Sequence, residues 1–244
     1  MKHFALIGTS LKHSYSKEYF DAQHFADADY TLCEMPSLDR RWVQECRLDG
    51  FNVTFPYKQQ IINYLDTLSP EAERIGAVNC VVVDEGRLIG HNTDAPAFRQ
   101  TLQSFLQSSN QAIKQSFILG TGGAARAVAY ALEQLGIPYR LVSRHPEQHP
   151  NTLGYNQLTQ ALKQSSNHTI IINATPASLP FTPPSLTQAI KQSSNQAIFV
   201  YDLNYNPSPT PLMEWASKMG AHTCDGLEML HLQAELSWHL WGLK

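Results

Sequence analysis

A chain of 244 residues, 43% hydrophobic and 16% charged, has globular composition with room for one or two hydrophobic cores, and it excludes a disordered chain. Its formal charge of -3 offers no basic footprint for a nucleic-acid backbone and no cationic run for a lipid surface, which favours a small-molecule partner. Cys33, Cys46, Cys80 and Cys224 form no C-x-x-C pair, so neither a zinc knuckle nor a disulfide framework is indicated and a reducing cytoplasm fits.

In chain order, Phe4–Gly8 reads as a strand that begins almost at once, with an apolar run too short for a secretory leader, and no later span approaches bilayer length. A helix near Tyr15–Phe25, a strand around Tyr30–Glu34, a helix near Leu38–Arg47 and a strand at Phe51–Thr54 follow. This alternation predicts an α/β layer architecture on a largely parallel sheet. A helix over Ala97–Gln107 leads to a second alternation through Ser116–Gly120, Tyr139–Ser143, Thr169–Asn173 and Ala197–Asp202, and Leu227–Trp241 closes the chain with apolar residues at helical spacing. Gln-Ser-Ser-Asn recurs from Gln107, Gln164 and Gln192, each time shortly before a strand, and reads as a solvated connector. Pro146 breaks the helix that would align His145 with His149, and no metal site is expected.

Phe117-Ile118-Leu119-Gly120-Thr121-Gly122-Gly123-Ala124-Ala125 spans a strand-to-helix junction, with Gly120, Gly122 and Ala125 in the small-residue places of G-x-G-x-x-[GA]. The first glycine permits the tight turn and the second lets backbone N–H groups approach a pyrophosphate. The small third residue packs the helix close to the strand, with its N-terminus at the phosphates. That helix, Ala124–Leu135, ends at Gly136. The next strand ends in Ser143-Arg144-His145, where an NAD-preferring site would place a carboxylate on the ribose hydroxyls. Arg144 suits a 2′-phosphate instead, so NADP is the expected cofactor.

In the first half, polar residues gather at the ends of predicted strands: His13-Ser14-Tyr15-Ser16, Asn52-Val53-Thr54-Phe55-Pro56-Tyr57-Lys58, Asn79, and Asn92-Thr93-Asp94. Strand carboxyl ends form the ligand side of an open α/β sheet. Taken singly, Ser14 and Ser16 read as helix caps, Asn79 and Asn92 as turn residues and Lys58 as a solvated lysine. Together with Gly76-Ala77-Val78-Asn79, Ser143-Arg144, Asn173-Ala174-Thr175-Pro176, Asp202-Leu203-Asn204-Tyr205-Asn206-Pro207 and Gly226 through Gln233, they resemble the shikimate dehydrogenase family, in the same order from Gly8 to Gln233.

The resemblance implies NADP-dependent reversible reduction of 3-dehydroshikimate to shikimate, a step of aromatic amino-acid biosynthesis. Lys58 would be the proton-transfer residue, with Asp94 bonded to the same reacting oxygen. Ser14, Ser16 and Thr54 would hold the substrate carboxylate, Asn79, Asp94 and Gln233 the ring hydroxyls, and Tyr205 would line the pocket. Gly120, Thr121, Gly122, Gly123, Ala124, Ser143, Arg144, Thr175, Leu203 and Gly226 would hold NADP. The chemistry agrees on its own terms: hydroxyls near a helix N-terminus suit a carboxylate, and a cyclic polyol needs amide and carboxylate partners.

The architecture implied is α/β: an N-terminal substrate domain over residues 1–94, completed by a C-terminal helix over 226–244, plus a Rossmann-type NADP-binding domain over 95–225, with a cleft between them. A monomer or homodimer in the cytoplasm, without nucleic-acid or membrane partner, goes with it. The chain departs from the family at Ser10-Leu11 and Lys17, where prolines and an isoleucine are usual, at Gln148 in place of a second arginine, and at Ser178 and Glu228 in place of glycines. The Gln148 change is expected to weaken discrimination against NAD. Two other readings share the scaffold: a quinate-using enzyme, for which Ser14 and Thr54 are the residues to watch, and a non-catalytic NADP-binding regulator, which would not need Lys58 and Asp94.

Overall fold

The computed structural model describes residues 1–12, 14–107, 112–164, 168–176 and 198–244. His13, Ser178 and the Gln-Ser-Ser-Asn stretches, apart from Gln107 and Gln164, lie outside the described residues. The chain divides into two compact units, Met1–Ala97 with Leu230–Lys244 and Phe98–Met229. These divisions fall a few residues beyond Asp94 and Asp225.

The first unit carries a six-stranded sheet of β1 (Lys2–Gly8), β2 (Ala28–Glu34), β3 (Gly50–Val53), β4 (Thr67–Leu68), β5 (Cys80–Asp84) and β6 (Arg87–His91), in the order β2-β1-β3-β5-β6-β4. β1 runs parallel to β2 and β3, and β4 to β6, but β5 is antiparallel to both its neighbours. The simple alternation read from the sequence did not anticipate this β5–β6 hairpin. Glu85 and Gly86 close it with φ of 50° and 78°, the left-handed pair whose twist matches that of joined antiparallel strands.

Residues of β1 are buried on both faces, which is why the run reads as continuously apolar rather than alternating. Ala5 and Ile7 pack with Val43, Phe51, Val53 and Ile61 on one side, while Phe4 and Leu6 pack with Phe20, Tyr30, Trp238 and Trp241 on the other. Trp241 stacks on Phe4 at 4.4 Å and donates from Nε1 to the Val81 carbonyl at 3.0 Å. It lies over Gly50, where a Cβ would come within 2.4 Å of the indole nitrogen.

Two helices are shorter than expected. α1 covers Tyr15–Asp21 and stops before Phe25, because the chain turns at His24 (φ 54°) to bring Phe25 back against Phe20 and Trp238, at 5.1 and 5.5 Å. α2 covers Arg40–Glu45, its start fixed by Asp39, which accepts from the backbone N–H of Arg41 and Trp42. α3 spans Pro70–Ile75.

The described residues of the second unit form six parallel strands: β7 (Gln115–Leu119), β8 (Tyr139–Ser143), β9 (Thr152–Gly154), β10 (Thr169–Asn173), β11 (Ile198–Asp202) and β12 (His222–Cys224), in the order β12-β11-β10-β7-β8-β9. Strands progress outward in both directions from the β7/β10 pair, the doubly wound order whose reversal point is the ligand crevice. Phe117, Leu119, Val142, Ile171, Val200 and Leu212 belong to its core. Among the described residues the helices are α4 (Asp94–Gln107), α5 (Gly123–Gln134), α6 (Tyr155–Gln164), α7 (Pro211–Lys218) and α8 (Leu227–Leu240), and the division between units falls inside α4 and α8. Among the described residues, no helix is long and apolar enough to cross a membrane.

Candidate active site

β5 explains how the first unit assembles its polar cluster. Asn79 precedes its strand whereas Thr54 and Asn92 follow theirs, yet all reach one sheet edge because β5 runs the other way, with Cys80 paired to Asn52 and to His91. Lys58 sits in the turn after β3, where its backbone carbonyl accepts from Val78 N–H at 2.7 Å. Asp94 is the first residue of α4, whose start is capped by Asn92: Oδ1 accepts from Ala95 N–H at 3.0 Å while Nδ2 donates to the Ala77 carbonyl at 2.9 Å. A helix N-terminus favours negative charge at this position.

Lys58 Nζ donates to Asp94 Oδ2 at 2.7 Å, with side chains 18% and 6% exposed. Asn79 Nδ2 donates to Thr93 Oγ1 at 2.8 Å, Asp94 Oδ1 at 3.0 Å and Gln233 Oε1 at 3.2 Å. An amide has two hydrogens to give, so the longest of these contacts is a shared one. Asn79 Oδ1 accepts from Thr93 N–H at 2.7 Å, which fixes the amide's orientation. Lys58, Asp94, Asn79 and Gln233 are thus brought together within the first unit.

Ser14 occupies the N-cap position of α1 without making a side-chain cap bond, so its hydroxyl is not used in the way the plainest reading of the sequence expected. Ser14 and Ser16 are half-buried. Thr54 is held beside Gly8, where a Cβ would meet Thr54 Cγ2 at 2.6 Å and Leu11 Cδ2 at 2.8 Å.

In the second unit, β7 leads through Gly120 and Gly122 into α5. Gly120 has φ of 110°, which disfavours any side chain, and its N–H donates to the Val142 carbonyl at 2.9 Å. Gly122 is the N-cap of α5, with no side-chain cap bond, and a Cβ there would meet nothing within 4 Å. Ala125 is fully buried. The space beside Gly122 at the start of α5 is therefore open among the described residues, and with no capping side chain at the N-cap the first-turn N–H groups fit an anionic pyrophosphate. Ser143 Oγ accepts from His145 N–H at 3.1 Å, and Arg144 is exposed, as contact with a 2′-phosphate requires. Burial pushes the Tyr155 phenol up, opposed by the charge of Arg144.

Asp202, 2% exposed, ties together the loops after β10 and β11. Its Oδ1 accepts from Asn173 Nδ2 at 2.9 Å, Asn204 N–H at 3.0 Å and Asn204 Nδ2 at 2.9 Å, and its Oδ2 accepts from Thr210 Oγ1 at 2.7 Å. Asn204 Nδ2 also donates to the Thr175 carbonyl at 3.1 Å, and Asn173 Oδ1 accepts from Thr175 Oγ1 at 2.6 Å. Gly226 closes the group: its N–H donates to the Asn204 carbonyl at 3.2 Å, and a Cβ would lie 2.1 Å from the Leu203 carbonyl oxygen. Tyr205 follows on this same loop.

The partners that Asp202 bonds are all neutral donors, and burial raises its pKa above the ordinary 3.8, with the bonds from Thr210, Asn204 and Asn173 opposing. A carboxyl raised on folding binds protons more tightly in the native state. Its contribution to stability is therefore full at low pH and lost as pH rises through the raised value. Asp202→Asn is expected to melt at or above wild type near pH 7, with the advantage shrinking on acidification, while Asp202→Ala melts lower by stranding buried donors. Equal losses for both variants in calorimetry at neutral pH would contradict this.

Sequence reasoning quoted Asn52, Thr93, Asn173 and Asp202 without giving them a task, and it passed over Ser237. Among the described residues, no group of three or more His, Cys, Asp or Glu side chains converges as a metal site.

A doubly wound unit with an open glycine-loop cradle, joined in one chain to a second α/β unit bearing a partly buried lysine–carboxylate pair, defines the class of two-unit nicotinamide-dinucleotide proteins. The family description "Shikimate dehydrogenase substrate binding domain" matches residues 6–81. A shikimate dehydrogenase (NADP(+)) of Desulfitobacterium hafniense is 34% identical, over 99% of this chain and 92% of its own length. The crystal structure of shikimate dehydrogenase 1 from Peptoclostridium difficile is 32% identical with TM-score 0.81, over 99% of this chain and 92% of its own. That of shikimate 5-dehydrogenase from Thermus thermophilus, in complex with NADP(H) and shikimate, is 29% identical with TM-score 0.80, covering 99% and 93%. The chain belongs to the shikimate dehydrogenase family.

Proposed function

We propose that this chain catalyses the reversible NADP-dependent reduction of 3-dehydroshikimate to shikimate, in the cytoplasmic route to aromatic amino acids. The observation that carries the reading is the 2.7 Å bond between Lys58 Nζ and Asp94 Oδ2, with Asn79 Nδ2 at 3.0 Å from the other carboxylate oxygen. Residues 1–94 and the C-terminal helix form the substrate domain, and residues 95–225 the NADP domain.

NADPH, when bound, supplies hydride to the ring carbonyl. Lys58, as ammonium, donates a proton from Nζ to the oxygen that becomes alkoxide. Asp94 keeps that ammonium aimed, takes part in the bonding of the same oxygen, and shares the ring hydroxyls with Asn79 and Gln233. In the oxidising direction Lys58 Nζ takes the hydroxyl proton as hydride leaves the ring carbon. Ser14, Ser16 and Thr54 hold the substrate carboxylate, and Tyr205 lines the pocket. Gly120, Thr121, Gly122, Gly123 and Ala124 receive the pyrophosphate, Ser143 and Arg144 the 2′-phosphate, and Thr175, Leu203 and Gly226 the nicotinamide end.

The test follows the nicotinamide absorbance with shikimate or quinate, each with NADP or NAD. Shikimate with NADP is expected to be the best of the four pairs. Quinate ahead of shikimate, or NAD ahead of NADP, would overturn the assignment of substrate or cofactor, and no turnover with any pair would overturn the enzyme reading itself.

A further inference from the structure

We propose that Ser237, on the C-terminal helix, is a positioning residue of this site: its hydroxyl accepts from Thr93 and so leaves the Thr93 oxygen free to hold the Asn79 amide in place against Asp94. The inference rests on the function proposed above.

Ser237 is fully buried, at 0% exposure. Its Oγ–H donates to the Gln233 carbonyl one turn earlier, at 2.9 Å. A hydroxyl has one hydrogen, so towards its remaining neighbours Ser237 can only accept. Those neighbours include Asn52 Nδ2 at 3.0 Å and Thr93 Oγ1 at 3.3 Å, and the Cys80 thiol also lies against this hydroxyl. Thr93 is thereby made the donor to Ser237, which leaves its lone pair turned to Asn79 Nδ2 at 2.8 Å. In the reverse arrangement, with Ser237 donating to Thr93, the buried Thr93 hydrogen would have no acceptor among these groups. A buried donor without a partner is costly, and that decides between the two.

The far end of the chain is fixed in the same way. Tyr30 OH donates to Asn52 Oδ1 at 2.8 Å, which leaves Asn52 Nδ2 to donate to Ser237 and to the Asn79 carbonyl at 3.1 Å. Both the side chain and the backbone of Asn79 are therefore held by groups, Thr93 and Asn52, that also donate to Ser237. Helical serines commonly bond the carbonyl four residues back with no further consequence. Here the same bond also determines what Ser237 offers Thr93.

Ser237→Ala and Thr93→Val each break the chain, and each is expected to lower kcat/KM for shikimate about tenfold while leaving the KM for NADP unchanged, at a temperature where both variants are folded. Because both act on one chain, the double variant should be about as impaired as the worse single, not a hundredfold down. Thr93→Ser keeps the hydroxyl and should recover most of the activity. Multiplying single effects, a Ser237→Ala enzyme equal to wild type, or no recovery in Thr93→Ser would overturn the positioning role. A wild-type chain inactive on shikimate would instead overturn the functional reading beneath it, so the two failures are distinguishable.

Discussion

Lys58→Ala is expected to lower shikimate turnover roughly 10²–10⁴-fold, the usual contribution of a positioned acid or base, with little change in NADP affinity. The fold around Lys58 does not depend on its ammonium, since the bond from Val78 N–H goes to the Lys58 backbone carbonyl. What the alanine removes is the proton carried by Nζ and the partner of a carboxylate whose side chain is 6% exposed. Stranding Asp94 costs stability, although Asn79 Nδ2 still bonds it. Lys58→Arg separates the two consequences. A guanidinium keeps a positive charge beside Asp94 but does not give up its proton in this pH range, so this variant should remain stable and still turn over poorly. Near-normal turnover in either variant, measured as steady-state rates alongside NADP binding, would remove Lys58 from the mechanism.

Gly122→Ala is expected to raise the Kd for NADP about 10- to 100-fold, equivalent to one charge-assisted hydrogen bond of about 1.5–3 kcal/mol, while the melting temperature stays close to wild type. The fold has room for the methyl group, because nothing lies within 4 Å of the Cβ position. The space it fills is the one the pyrophosphate needs in order to approach the α5 N–H groups. The same substitution at Gly226 acts differently: its Cβ would fall 2.1 Å from the Leu203 carbonyl oxygen, so backbone must move and stability falls along with affinity. Titration of cofactor fluorescence together with thermal melting distinguishes the two. Unchanged NADP affinity in Gly122→Ala would mean that the loop is a turn and not a phosphate cradle.

The second unit was largely legible in the sequence because its strands are short, the three central ones are buried on both faces, and turns with glycine separate several of them. Tyr139–Ser143 and Thr169–Asn173 have the bounds that were read, and α5 begins one residue before Ala124. The first unit was harder to read. Phe25 looked helical because it is apolar at a plausible spacing, but it reaches the core through a turn at His24. The β5–β6 hairpin was missed although Glu85-Gly86 marks it, since an alternation of strands and helices suggested a largely parallel sheet. That omission also hid the reason why Asn79, which precedes its strand, shares an edge with residues that follow theirs.

The polar cluster was legible as a set of motifs and not as a network. Sequence order placed Lys58, Asn79 and Asp94 on one side of a sheet, but the direction in which the Thr93 hydroxyl points depends on Ser237, which lies in α8 far along the chain. Its spacing four residues after Gln233 and four before Trp241 puts it on the inward face of that helix, a signal that a small polar residue is buried there and needs partners. Asp202 was likewise visible as part of a motif, yet its task of holding the Thr175 and Asn204 loops follows from which strands are neighbours, and sequence alone does not give that.

The most direct measurement mixes purified protein with 3-dehydroshikimate and NADPH, follows loss of the reduced nicotinamide band, and quantifies the shikimate formed by chromatography. The account predicts one shikimate for each NADPH consumed, with the reaction all but lost in Lys58→Ala at equal NADPH binding. NADPH bound but not consumed by the wild-type chain, or consumed without shikimate appearing, would contradict it.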